Sequence, residues 1–322
     1  MHADAATAPR SRLDAMLFLV TPLLFAGNML MARAIGGDVP PVTLAFLRWA
    51  VAALVLLPFA WRGLRAHLPR LLSPDFAMLV LTGGVLAVAP LYAAASMTTA
   101  GNVALIISAS PAFLLIAERV LFGTALRLPA MAGIAMAALG VTMVVTHGHP
   151  SALLALSFTA GDALAFGAML SWVAYTLLSK RRPVKLPPVV GLAALSLGAA
   201  AMLLPAAMVE LEHHAGQAGF GLVITPRSLG ALLFLCLVPS IGAYGSYQRL
   251  VRGFGAAKAA TSMYVVPVYA VLLAALLLGE TLRPYHGYGL ALILGGVSLA
   301  ALAGRRVSAG SMPRLAVSAR PS

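Results

Sequence analysis

The chain has 322 residues, of which 61% are hydrophobic and 10% charged, with a formal net charge of +13. A soluble domain of this length could not cover so much apolar surface with so few charges, so its solvent is largely lipid. Mean hydropathy is +0.95, and apolar stretches near the ~20 residues that cross a bilayer recur along it, which predicts an all-α polytopic membrane protein.

Ten transmembrane helices are read in chain order, at 14–34, 41–61, 75–96, 101–121, 129–146, 159–179, 188–209, 228–248, 258–279 and 284–304. A short segment, 1–13, precedes them, a connection at 147–158 divides them, and a polar tail, 305–322, is expected to be disordered. The first span follows Arg10 and Arg12 and ends on "ARA" (32–34), which imitates a signal peptide. Its length, and Asn28 within it, favour a retained helix. The second span carries Arg48 about 10 Å from its outer end at 1.5 Å per residue. Arg48 reads either as a partner for a substrate carboxylate or as a residue that snorkels or braces nearby carbonyls.

The fourth and ninth spans are built around Pro111 and Pro267, which cannot donate to the carbonyls of Ile107 and Met263 and so bend their helices. Each proline is either a flexible joint beside a substrate path or a static kink. Both helices close on glycine, Gly123 and Gly279, as a C-terminal stop would. Glu280 follows the second, with Arg283 close by, and reads as a structural pair or gate element. On the tenth span Gly287, Ala291 and Gly295 form a small-residue seam, for packing on the fifth helix or for a dimer. Monomer and dimer both remain open.

Most of the 22 Lys and Arg residues fall at the two ends and in alternate connections, while the opposite connections hold Arg33, Arg227 and Arg283. That asymmetry places both termini in the cytoplasm. The basic excess is therefore a topology signal, and no nucleic-acid partner is implied.

The sequence also repeats itself. A shift of 147 carries Pro40, Pro41 and Pro58 onto Pro187, Pro188 and Pro205. A shift of 156 carries Pro111, Gly123, Gly133 and Gly140 onto Pro267, Gly279, Gly289 and Gly296. The units are 14–146 and 159–304. An odd number of helices per unit makes the second enter the membrane from the other side, so the two are inverted repeats. Secondary transporters use that device to open a midplane site to alternate sides.

Polar residues within spans are costly and mark candidate pathways. The cavity candidates are Asn28, Tyr92, Ser108, Ser110, Trp172, Tyr175, Tyr244, Tyr264 and Tyr269. For Tyr244 and Tyr247 a place in the interfacial aromatic belt competes. Asp162 is expected to begin the sixth helix as its N-cap, and Glu118 lies near the inner end of the fourth, beside Arg119. No carboxylate is expected at mid-membrane, so transport reads as facilitated diffusion or exchange, or as weak coupling through Glu118 or Asp162. "ELEHH" (210–214) and "HGH" (147–149) fall in outer connections and read as solvated loop residues, not metal ligands. Cys236 is the only cysteine, which excludes an intrachain disulfide. No cofactor is implied.

"VPPVTLAFLRW" (39–49), "GDALAFGAMLSWVAYTLLSKR" (161–181), the proline-centred fourth and ninth spans and "LLLGETL" (276–282) together resemble the EamA-like family of the drug/metabolite transporter superfamily. The resemblance covers roughly residues 14–304. One departure is Thr124 in "LFGTAL", where the second half has Glu280. The resemblance implies a multi-pass protein of a bacterial-type inner membrane that exports small metabolites, often amino acids. The group that exports aromatic amino acids is the nearest analogue. The competing readings are other cargo, nucleotide-type or drug-like, and an intramembrane lipid-modifying enzyme, for which no cluster of His, Asp or Cys is visible.

Overall fold

A computed structural model describes residues 12–35, 38–98, 103, 106–107, 109–123, 128–146, 148–149, 151, 159–215, 225–278 and 284–310. All regular elements among them are helical. In chain order they are α1 (Arg12–Ala34), α2 (Pro41–Ala66), α3 (Pro74–Met97), α4 (Ser110–Phe122) and α5 (Leu128–Val145). There follow α6 (Ala160–Arg181), α7 (Pro188–Ala215), α8 (226–254), α9 (256–278) and α10 (Pro284–Gly310).

Local chemistry sets the ends. Thr159 caps α6, accepting from the Asp162 N–H while the Asp162 carboxylate accepts from the Thr159 N–H. Asp162 is thus the third helical residue of a capping box and not the N-cap expected from the sequence. Thr225 and Ser228 form the same box on α8, with Pro226 at the first position, where its missing N–H costs nothing. Gly123 ends α4 at φ +65°, donating its N–H to the Arg119 carbonyl, and a left-handed stop of this kind favours glycine.

The prolines of α4 and α9 stand where the helical geometry changes. Pro111 is the second residue of α4, after a turn at Ala109. Pro267 is likewise the second residue of the segment Val266–Leu278, after a 3-10 turn at Ser262–Val265. In that place the absent N–H breaks no helical bond, so each chain restarts at its proline.

Helix α7 runs on to Ala215, so the "ELEHH" stretch is helical and not loop. Two helices contain wide π-helical turns, α3 at Val80–Leu86 and α8 at Val238–Ala243. Pro239 cannot donate to the Leu235 carbonyl, and Ser240 Oγ does so instead at 3.2 Å.

The most extensive packing joins α5 to α10 and α2 to α7. On both pairs the contacts run antiparallel. Gly63 lies against Val190 while Thr43 meets Glu210. Gly133 lies against Gly296 while Gly140 lies against Gly289 and Ile293. The close seam of α10 is Gly289–Ile293–Gly296, and of the expected one only Gly295 takes part, against Met136 of α5: Gly287 has open space around it and Ala291 is exposed. Helix α3 packs on α6 as α1 does on α8, and α4 on α6 as α1 does on α9.

Five helices, α2, α3, α6, α7 and α8, are each long and apolar enough among the described residues to cross a membrane. Large apolar side chains point outward around the bundle, Phe59, Leu128 and Leu276 each 79% exposed. Water would not tolerate such a belt, and lipid favours it. The chain is an all-α, multi-span membrane protein.

Candidate substrate site

The site is organised by the wide turn of α3. Three successive carbonyls there accept side-chain donors from three other helices. Ser171 Oγ of α6 donates to Thr82 O (2.9 Å), the Tyr244 hydroxyl of α8 to Gly83 O (2.7 Å), and Trp49 Nε1 of α2 to Gly84 O (2.7 Å). A wide turn disturbs the regular backbone ladder, and these bonds satisfy its carbonyls inside the bundle. Glycine is needed because a Cβ at residue 83 would overlap the Tyr175 ring, and one at residue 84 would overlap Ala199.

Against this hub lies Arg48, 2% exposed. Its Nη1 donates to the Tyr92 hydroxyl (2.9 Å), which donates onward to Asn28 Oδ1 (2.8 Å), joining α2, α3 and α1. The guanidinium carbon sits 4.6 Å from the Trp49 ring centroid and 5.3 Å from that of Tyr244. Trp49 Nε1 and the Tyr244 hydroxyl spend their protons on α3, so both rings face the cation while the Tyr244 hydroxyl oxygen keeps a polar interaction with the guanidinium, a favourable arrangement for a desolvated charge. Nε and Nη2 have no hydrogen-bond partner. Among the described residues no carboxylate lies within ion-pair distance of Arg48. The residue neither snorkels nor spends these two donors on carbonyls.

Trp172 extends the aromatic wall, its ring 5.6 Å from Phe25, 5.5 Å from Tyr175, 5.4 Å from Tyr244 and 4.9 Å from Tyr247. Below it, toward the last turn of α6, polar contacts tie the helices together. Gln248 Nε2 donates to the Tyr175 hydroxyl (2.6 Å) and Ser179 Oγ (3.2 Å). Lys180 Nζ meets the buried Glu118 carboxylate at 2.6 Å, and Arg182 meets Asp75 at 2.6 Å. At the opposite end Thr98 donates to Asp162 (2.6 Å), and the Glu210 carboxylate accepts from the N–H groups of Val42 and Thr43. Glu210 thereby caps α2 from a different helix, where the macrodipole favours a negative charge.

Of the residues singled out in the sequence, the fold brings Asn28, Arg48, Tyr92, Trp172, Tyr175 and Tyr244 into one cluster. Tyr244 and Tyr247 are interior and not in a belt. Ser110 is buried in α4 and Tyr269 half-buried on α9, and neither enters the cluster. Glu118 pairs with Lys180 of α6. Ser108 and Glu280 lie outside the described residues, as do the side chains of Tyr264 and Pro267. Sequence reasoning missed Trp49, Phe25 and Glu210. The "GG" at 83–84 inside an apolar run was the available signal for a close approach. No group of three His, Cys, Asp or Glu that could hold a metal occurs among the described residues.

The sequence model of the EamA-like transporter family matches residues 13–146 and again 159–302. The chain belongs to that family. It is similar to a protein of Salmonella typhimurium named "Probable amino-acid metabolite efflux pump", 27% identical over 89% of this chain and 94% of the relative. It is also similar to the "Uncharacterized inner membrane transporter YedA" of Escherichia coli K12, 32% identical over 82% of each. A solved crystal structure matches its fold with a TM-score of 0.70 at 20% identity, covering 92% of this chain and 100% of the other. As an EamA-like protein the chain is a multi-pass inner-membrane secondary transporter of small molecules, not a catalytic enzyme.

Proposed function

We propose that this EamA-like protein exports small metabolites, amino acids foremost and aromatic ones among them, by alternating access. The two halves, 14–146 and 159–304, act as inverted repeats of five spans each, with both termini cytoplasmic. The observation that carries this reading is the antiparallel packing of repeat-equivalent helices. The Gly133–Gly296 and Gly140–Gly289 approaches exchange with each other under the 156-residue shift, as Gly63–Val190 and Thr43–Glu210 do under the 147-residue shift. A pair of contacts that maps onto itself is what a two-fold axis between inverted halves requires. The double match to one family model adds support.

The amino-acid assignment draws on the name of the Salmonella relative and on the aromatic wall of Phe25, Trp172, Tyr175 and Tyr244 beside a cation. The restarts at Pro111 and Pro267 serve as the joints at which α4 and α9 swing. Glu118 and Asp162 are held by Lys180 and by the capping box with Thr98, so neither is a free proton acceptor, and flux is uncoupled or by exchange.

Purified protein in liposomes, loaded with labelled phenylalanine and challenged with unlabelled amino acids with and without a pH gradient, tests the proposal. Saturable flux that several amino acids inhibit, and that the gradient leaves unchanged, is expected. Absence of flux for every amino acid would remove the substrate class, and flux driven by the gradient would overturn the uncoupled mechanism.

A further inference from the structure

We infer that Arg48 is the carboxylate anchor of the substrate site, an inference that rests on the transport of small metabolites proposed above and names the ligand group the site recognises. A guanidinium has five N–H donors in a planar fork. In Arg48 one edge is used, Nη1 donating to Tyr92, while Nε and Nη2 are both unpartnered in a residue 2% exposed. Nε–H and one Nη2–H lie parallel along the same edge, and that edge takes both oxygens of a carboxylate. The free donors are thus a matched pair.

A buried cation normally has a protein anion beside it, because an unpaired one costs several kcal/mol. Here, among the described residues, no carboxylate of the chain fills that place. The rings of Trp49, Tyr92 and Tyr244 stabilise the charge from 4.6 to 5.9 Å but accept no bond from Nε or Nη2. Tyr92, bridged to Asn28, fixes the guanidinium through Nη1 and so orients the free edge. The edge is closed to solvent, and a ligand reaches it only once the surrounding helices separate, as an alternating-access cycle requires.

The site then selects by group. It binds 3-phenylpropionate and phenylalanine, which share the carboxylate, and rejects phenylalaninamide and phenethylamine, which lack it. The test is titration of the full-length protein in nanodiscs, in chloride-free buffer, followed by tryptophan fluorescence, since Trp49 touches the guanidinium. Both acids are expected to bind roughly tenfold or more tightly than the amide and the amine, the worth of a charge-assisted bidentate pair. Arg48→Gln should abolish that preference and Arg48→Lys should keep part of it, with monodispersity and melting temperature as the folding control. Should Arg48→Gln fail to fold, Tyr92→Phe, which loosens Nη1, should narrow the acid-over-amide ratio without weakening the amide.

Equal binding of acid and amide overturns the carboxylate anchor and leaves the metabolite transporter standing. A response to chloride as large as that to the acids assigns the edge to any small anion and also overturns it. No response to any compound of the panel overturns both the anchor and the amino-acid reading.

Discussion

A methyl group at residue 83 would overlap the ring of Tyr175, and that ring is also held by Gln248 at 2.6 Å. Gly83→Ala should therefore displace a fixed aromatic and lower stability by about 1–3 kcal/mol, as overpacking does, read as a fall in melting temperature. An unchanged melting temperature would mean that α3 and α6 part freely. Glu210→Gln should destabilise by about 1–3 kcal/mol, because it replaces a charged acceptor of two backbone N–H groups by a neutral one. Thermal unfolding of the purified variant measures it. Residues of this kind divide sharply in how well a sequence shows them. Arg48, Asn28 and Tyr92 stand out because polar groups in apolar spans are costly. Trp49 does not, since an apolar residue in an apolar run carries no such mark. Glu210 was hidden because its partners lie 168 and 167 residues away.

Helix limits were legible wherever the chain supplied a local stop or start: Pro41 and Pro188 at first positions, and Gly123 at the end of α4. The overrun of α7 and the wide turns of α3 and α8 were not: α7 is held by its bonds to α2, the carbonyls of the α3 turn accept donors from other helices, and in α8 Ser240 donates to the Leu235 carbonyl from within the helix. At this scale the end of α6 is the element to disturb. Lys180 joins it to Glu118 of α4, and Gln248 of α8 joins it through Ser179 and Tyr175. A half-exposed ion pair contributes roughly 0.2–1 kcal/mol, so Lys180→Met should raise the reactivity of a cysteine placed by Ser179→Cys by a factor of up to about five. Glu118→Gln should do the same and the double variant should add little more. Additive effects would show that the two residues do not act as one tie.

At the scale of the molecule, several helix pairs have a counterpart when α1–α5 are exchanged for α6–α10, among them α3 on α6 with α1 on α8 and α4 on α6 with α1 on α9. Gly133, Gly140, Gly289 and Gly296, which the sequence repeat singled out, are among the residues through which α5 and α10 touch. Which helix would face which was not legible, since packing depends on small residues spread over both halves. The site breaks the symmetry: under the 147-residue shift Arg48 falls on Leu195, so the charge belongs to one half alone while both halves wall it in. In the proposed cycle these halves expose one site to alternate sides. Sided labelling tests it most directly, using Phe25→Cys beside Trp172 and Tyr244 in a Cys236→Ser background, with an impermeant maleimide applied to oriented vesicles. Substrate on either face is expected to shift labelling between the two sides, so that the same cysteine reacts from each. Reaction from one side only, whatever the substrate gradient, would contradict it.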